Sequence, residues 1–178
     1  MQPYPTTALL LAALLGLAQC KKKDPDPASG LPAATQDGRN TFGCLVDGQA
    51  WTPNGNNGVS NFRLTYDRST TGGNLLVRAY RYVNSKYQYI LIGGSLTGPG
   101  VYRINERGSW GIGYSDETKP SACDEYRYTN SGYISTGTLT LTRLDLQAGI
   151  IAGTFEAKMV QTGCDTLRIT QGRFDYKL

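Results

Sequence analysis

From Thr41 onward, apolar and polar positions alternate with a period of two rather than 3.6. The run Thr41 to Val46 is followed by Asp47-Gly48 and then by Gln49 to Thr52. Asp-Gly between two such runs predicts a tight hairpin, because both central positions of that turn need positive φ. Pro53 to Ser60 reads as a loop. Further strands are predicted over 61–67, 75–83, 87–93, 101–104, 109–115, 125–129, 137–144, 150–160 and 166–176. An irregular polar loop over 116–124 interrupts them. Leu139 and Leu141 alternate with Thr138, Thr140 and Thr142, which implies one face on a core and one in water. About ten strands without a convincing helix predict an antiparallel all-β domain. A β-sandwich is the first expectation and a meandering β-barrel the alternative.

The first forty residues break this pattern. Ala8 to Ala18 is an apolar run about as long as a secretory h-region and too short to span a bilayer. It runs into Leu17-Ala18-Gln19-Cys20, then Lys21-Lys22-Lys23-Asp24-Pro25-Asp26-Pro27. A cysteine at the end of an h-region, followed by a charged, proline-broken run, is the arrangement that lipidation requires. Leu17 and Ala18 fit that pattern, whereas Gln19 stands where a small residue is usual and the n-region has no Lys or Arg. An ordinary signal peptide with an incidental cysteine is the alternative. The expected organisation is a lipoprotein signal peptide over 1–19, a lipidated Cys20 with a flexible tether to 40, and one all-β domain over 41–178. Twenty tether residues would reach ~65 Å fully extended and ~25 Å as a coil. The implied location is the outer membrane, on its periplasmic or cell-surface side.

Composition narrows the chemistry. The chain has no histidine, which removes Ser-His-Asp and Cys-His catalysis, His-ligated zinc and the usual general base near neutral pH. The formal charge is +4, and three of the basic residues are Lys21 to Lys23. The domain itself is therefore near neutral, which argues against a nucleic-acid partner. Neither Gly98-Pro99-Gly100 nor Gly111-x-Gly113 opens a helix, so neither is a phosphate loop. They read as a turn and as a kinked or closely packed strand. No cofactor or metal is expected.

Three groups of residues carry the remaining candidates. With Cys20 lipidated, Cys44, Cys123 and Cys164 remain, and an oxidising compartment favours one disulfide. The strands over 137–144 and 150–160 should pair antiparallel. That places Cys123, before the first, near Cys164, after the second. Cys123–Cys164 is the favoured pair, with Cys44 then buried; Cys44 with either partner is the alternative. Arg78, Tyr80 and Tyr82 share one face of their strand, and Tyr87 and Tyr89 alternate on the next. Across a tight turn these make a Tyr/Arg patch suited to a sugar or peptide, or an ordinary cross-strand aromatic array. Asp116, Glu117, Asp124 and Glu125 flank the polar loop and read as solvated charges. A carboxylate pair or a Ca²⁺ cluster is the less favoured reading.

The C-terminal wording is the most distinctive. Gly137 to Asp145 (GTLTLTRLD), Ile150 to Glu156 (IIAGTFE) and Ile169 to Asp175 (ITQGRFD) resemble an uncharacterised family of small Bacteroidota lipoproteins. Thr41 to Trp51 (TFGCLVDGQAW) is similar to that family's opening hairpin. The resemblance implies an extracytoplasmic β-rich domain and supplies no catalytic residues. The functional expectation is a lipid-anchored, non-enzymatic accessory of the cell envelope, structural or binding a glycan or an envelope protein. A protein-binding inhibitor of a lytic enzyme is the alternative, and a carboxylate-dependent glycoside hydrolase is the third reading.

Overall fold

The computed structural model describes residues 27–69, 72–105 and 108–178. Its strands are β1 (Thr41–Val46), β2 (Gln49–Trp51), β3 (Phe62–Asp67), β4 (Asn74–Val83), β5 (Lys86–Ser95) and β6 (Gly100–Asn105). They continue with β7 (Trp110–Asp116), β8 (Glu125–Tyr126), β9 (Ile134–Asp145), β10 (Ile150–Val160) and β11 (Leu167–Lys177). One sheet has six strands in the order β2-β1-β11-β10-β9-β6, and the other five in the order β3-β4-β5-β7-β8. All pairings are antiparallel. The two sheets do not close into a barrel, so the chain takes the sandwich arrangement and not the barrel alternative.

Turn chemistry sets the registers. Asp47 and Gly48 have φ of 48° and 79°, as the Asp-Gly hairpin requires. Asn84 and Ser85 adopt φ of 49° and 64° in a second turn of this kind, so β5 resumes at Lys86. The β4–β5 ladder then runs unbroken from Val83↔Lys86 to Asn74↔Ser95.

The inner faces meet in one core. Leu139 and Leu141 are buried as their alternation predicts. Phe42, Trp51, Phe62 and Phe155 cluster, with ring centroids 5.4–5.8 Å from Phe42. Such contacts add about 0.5–1.5 kcal/mol each beyond area burial.

The tether expectation is corrected for its second half. Residues 28–40 are seated on the six-stranded sheet as a strap, after a single 3-10 turn over Pro27–Gly30. Asp175, only 1% exposed, holds the strap. Its carboxylate accepts the Thr35 hydroxyl at 2.7 Å and the amides of Asp37, Gly38 and Arg39 at 3.0, 2.7 and 3.2 Å. Arg143 donates to the Gln36 carbonyl at 2.6 Å and Arg173 to the Pro32 carbonyl at 3.3 Å. Pro32 lies so close to β1 that a Cβ on Gly43 would come within 2.6 Å of it. The strap explains why β1 is buried on both sides over Phe42 to Leu45 instead of alternating. Residues 1–26, with Cys20 and the signal-peptide region, lie outside the described residues.

Candidate functional site

The five predicted patch residues fall on the outer face of the five-stranded sheet, because Leu75, Val77, Ala79 and Ile90 take the core side. The β4–β5 register sets Tyr80 opposite Tyr89, Tyr82 opposite Tyr87 and Arg78 opposite Leu91. Four tyrosine rings follow one another. Tyr80–Tyr82, Tyr80–Tyr87 and Tyr82–Tyr87 have centroids 6.0, 5.6 and 5.5 Å apart, and Tyr87–Tyr89 stack at 6.0 Å with 16° between planes. Burial raises the phenol pKa of both Tyr87 and Tyr89; neighbouring Tyr89 raises that of Tyr87 further, and nearby Arg78 lowers that of Tyr89.

The ladder is not uniformly open. The loop between β2 and β3 folds over its Tyr80 end. The Tyr80 hydroxyl accepts the Asn57 amide at 3.2 Å and donates to the Val59 carbonyl at 2.7 Å. Tyr80 is therefore 4% exposed and serves as support, which corrects its expected place as a contact residue. Tyr82, Tyr87 and Tyr89 are half-buried and Arg78 is exposed.

Beside the ladder the face drops into a mostly apolar groove of about 720 Å³. Leu76, Leu91, Gly111 and Gly113 form its floor, with Arg127 and Tyr128 at its rim. Tyr128 is 82% exposed. The strand is not kinked at Gly111-x-Gly113, and only Gly113 is approached by a neighbour, the Tyr126 carbonyl at 3.4 Å from where its Cβ would lie. β7 pairs with β5 in unbroken register, and a Cβ at Gly111 would meet nothing within 4 Å. Ser135 also lines the groove; its Oγ is buried and has no hydrogen-bond partner among the described residues.

The inner face of the same strands carries a polar seam that strand alternation alone does not suggest. Arg81 donates to Gln88 Oε1 at 2.6 Å and to the Ala50 carbonyl at 3.1 Å, and its guanidinium lies 5.2 Å from the centre of the Trp51 ring. Trp51 donates to the same Gln88 oxygen at 3.1 Å. Asp116 accepts the Thr118 hydroxyl at 2.6 Å, the Thr118 amide at 3.0 Å and the Tyr114 hydroxyl at 3.2 Å. Burial pushes the Asp116 carboxyl up, but these donors and Gln88 outweigh it and hold it below the usual range. The seam is closed on itself and satisfies its buried groups.

Cys123 and Cys164 form the disulfide, with Cα atoms 5.6 Å apart. Cys44 is free and buried, and burial pushes its thiol pKa up to about 12, so it is no nucleophile at neutral pH. Three of the four acidic residues have side-chain partners of their own. Asp116 belongs to the seam, Glu117 accepts the Tyr87 amide at 2.8 Å, and Glu125 pairs with Arg127 at 2.9 Å. Among the described residues, no three His, Cys, Asp or Glu side chains gather to hold a metal ion. None of the described helices is long and apolar enough to cross a membrane.

No protein-family model, no curated protein and no solved structure matches the chain. The lipoprotein resemblance consequently rests on the residues quoted for it alone.

Proposed function

We propose that the chain is a lipid-anchored β-sandwich of the cell envelope, attached at the outer membrane through Cys20, that binds a glycan without catalysis. The observation that supports this most is the ladder of Tyr82, Tyr87 and Tyr89 on a solvent-facing sheet, with exposed Arg78 beside it. Flat rings with hydroxyl tips offer a sugar both a stacking surface and hydrogen-bond donors. The seam and the covering loop hold the strands and Tyr80 beneath, so the platform is organised before a ligand arrives.

Affinity electrophoresis against soluble polysaccharides tests the binding reading. Tyr87→Ala with Tyr89→Ala removes two half-buried rings without opening the core. Retardation by a polysaccharide that this variant abolishes is the expected result. Retardation equal in both proteins would reduce the ladder to a structural array. The anchoring part is tested by Cys20→Ala, which should abolish labelling by a radiolabelled fatty-acid precursor.

An inhibitor of a lytic enzyme is the second reading, supported by the 116–124 loop. Asp116 and Asp124 close its base through a 2.7 Å backbone hydrogen bond, and the Cys123 disulfide holds it from the side. Residues 117–122 stay exposed, in the manner of a presented rigid loop. The hydrolase reading has the least support, because Asp116, Glu117 and Glu125 are each engaged by their own donors.

A further inference from the structure

The outer face of the five-stranded sheet contains one pairing that works against the fold. β3 and β4 set Arg63 directly opposite Arg78. Both side chains are exposed, and neither makes an ion pair with a described carboxylate. Directly opposed cross-strand residues have Cβ atoms about 4.5–5.5 Å apart, and like charges there destabilise the pair. Glu117 and Glu125 lie at the far edge and are engaged by the Tyr87 amide and by Arg127, while Asp67, four residues from Arg63 on the same face of β3, is engaged by the Ser69 amide and hydroxyl and pairs with neither arginine. An oxyanion between the two guanidinium groups would relieve the repulsion, since each fork can offer two parallel N–H donors.

The register places this pair where a ligand on the tyrosines would reach it. Arg63, Arg78, Leu91 and Gly113 occupy successive strands in one row across the sheet. The neighbouring row is Tyr80, Tyr89 and Ser115. Three strand spacings of about 4.8 Å make the row roughly 14 Å long, the span of a short oligosaccharide. One end of that row is cationic and its middle is apolar; Tyr89 stands in the next row and Tyr87 in the row beyond it, both on the same side. We infer that the face takes an acidic glycan, whose sugar rings lie on Tyr87 and Tyr89 while a carboxylate or sulfate group sits between Arg63 and Arg78. The inference rests on the reading of this face as a glycan platform and adds the charge class of the ligand. At an exposed site the contribution is screened by salt, so the affinity should fall as ionic strength rises.

Calorimetric titration of the purified protein with three probes tests it: oligogalacturonate, the same oligomer fully methyl-esterified, and a chondroitin sulfate oligosaccharide. At least one acidic probe should bind about tenfold more tightly than the neutral ester, the equivalent of about 1.4 kcal/mol. Tight binding of the oligogalacturonate, which has no sulfate, assigns the arginine pair to a carboxylate; binding of the chondroitin sulfate alone, which carries both groups, assigns it to the sulfate. Arg63→Gln with Arg78→Gln should remove that advantage, so that the acidic probe binds no more tightly than the ester. This variant takes away a repulsion, so its thermal midpoint should equal or exceed that of the parent, which separates lost binding from lost folding. Equal affinity for acid and ester, indifferent to the double substitution, would overturn the acidic preference and leave the aromatic platform standing. Absence of binding to all three probes would overturn both. Arginine-dependent adhesion to anionic phospholipid vesicles without any glycan binding would also overturn the proposal.

Discussion

Asp175 does more for this fold than its place in a C-terminal strand suggests. One carboxylate accepts four donors from residues 35–39, and it does so 1% exposed. Burial raises its pKa, yet Thr35 and the three amides overcome that and hold it below the ordinary carboxylate range. Hydrogen bonds to a charged group contribute about 1.5–3 kcal/mol each and are not additive, so Asp175→Ala should cost about 2–4 kcal/mol. Urea denaturation measures this loss. Limited proteolysis should find new cleavage within residues 28–40 and none in the strands, whose backbones remain hydrogen-bonded to one another. Ser135 illustrates the opposite case, a buried hydroxyl without a partner among the described residues. Arg63 is the residue that sequence reasoning passed over. Its signal was available in the alternation of 61–67, but its partner across the sheet was not.

At the level of elements, the Cys123–Cys164 bridge joins the 116–124 loop to the turn after β10. The two cysteines are 41 residues apart in sequence. Closing a loop of that size restricts the unfolded chain by about 4 kcal/mol on the chain-entropy account. The variant with Cys123→Ser and Cys164→Ser should lose about that much in chemical denaturation, and the parent should lose the same amount under reductant. Gln161 donates to the Ala122 carbonyl at 3.2 Å and so holds the loop independently of the bridge. The folded double variant should therefore keep its ligand affinity, since neither cysteine touches the tyrosine face. The strap is the other element whose role is set by its contacts. Because residues 28–40 are docked, an anchor at Cys20 would reach the body through only eight residue steps, about 28 Å at full extension. The ~65 Å expected for a tether through residue 40 is correspondingly too long.

For the molecule as a whole, the absence of histidine has a measurable consequence. No side chain of ordinary pKa titrates between pH 5 and 8, so the urea midpoint should be flat across that range. Asp116 and Asp175 are both held below their unfolded value of about 3.9. A depressed carboxyl contributes stability that is fully present above the unfolded pKa and lost as pH falls through the folded one. Stability should therefore decline below about pH 4, and Asp175→Asn should flatten part of that decline. A midpoint that drifts between pH 5 and 8 would contradict this account.

The all-β class, the hairpin at Asp47-Gly48, the shared face of Tyr80 and Tyr82, and the favoured cysteine pair were legible in the sequence. Each depends on local alternation or on the antiparallel pairing of neighbouring strands, and period-two patterning expresses both. The strap was not legible, because its Pro- and Ala-containing stretch resembles a tether until Asp175, some 140 residues away, receives it. The same holds for the loop over Tyr80, for the inward turn of Arg81 against Trp51, and for the open floor at Gly111. A single sequence records which face a side chain takes along its own strand. What covers or opposes that face is decided by segments distant in the chain, and only the tertiary structure brings Arg63 against Arg78 or leaves Tyr87 and Tyr89 to solvent.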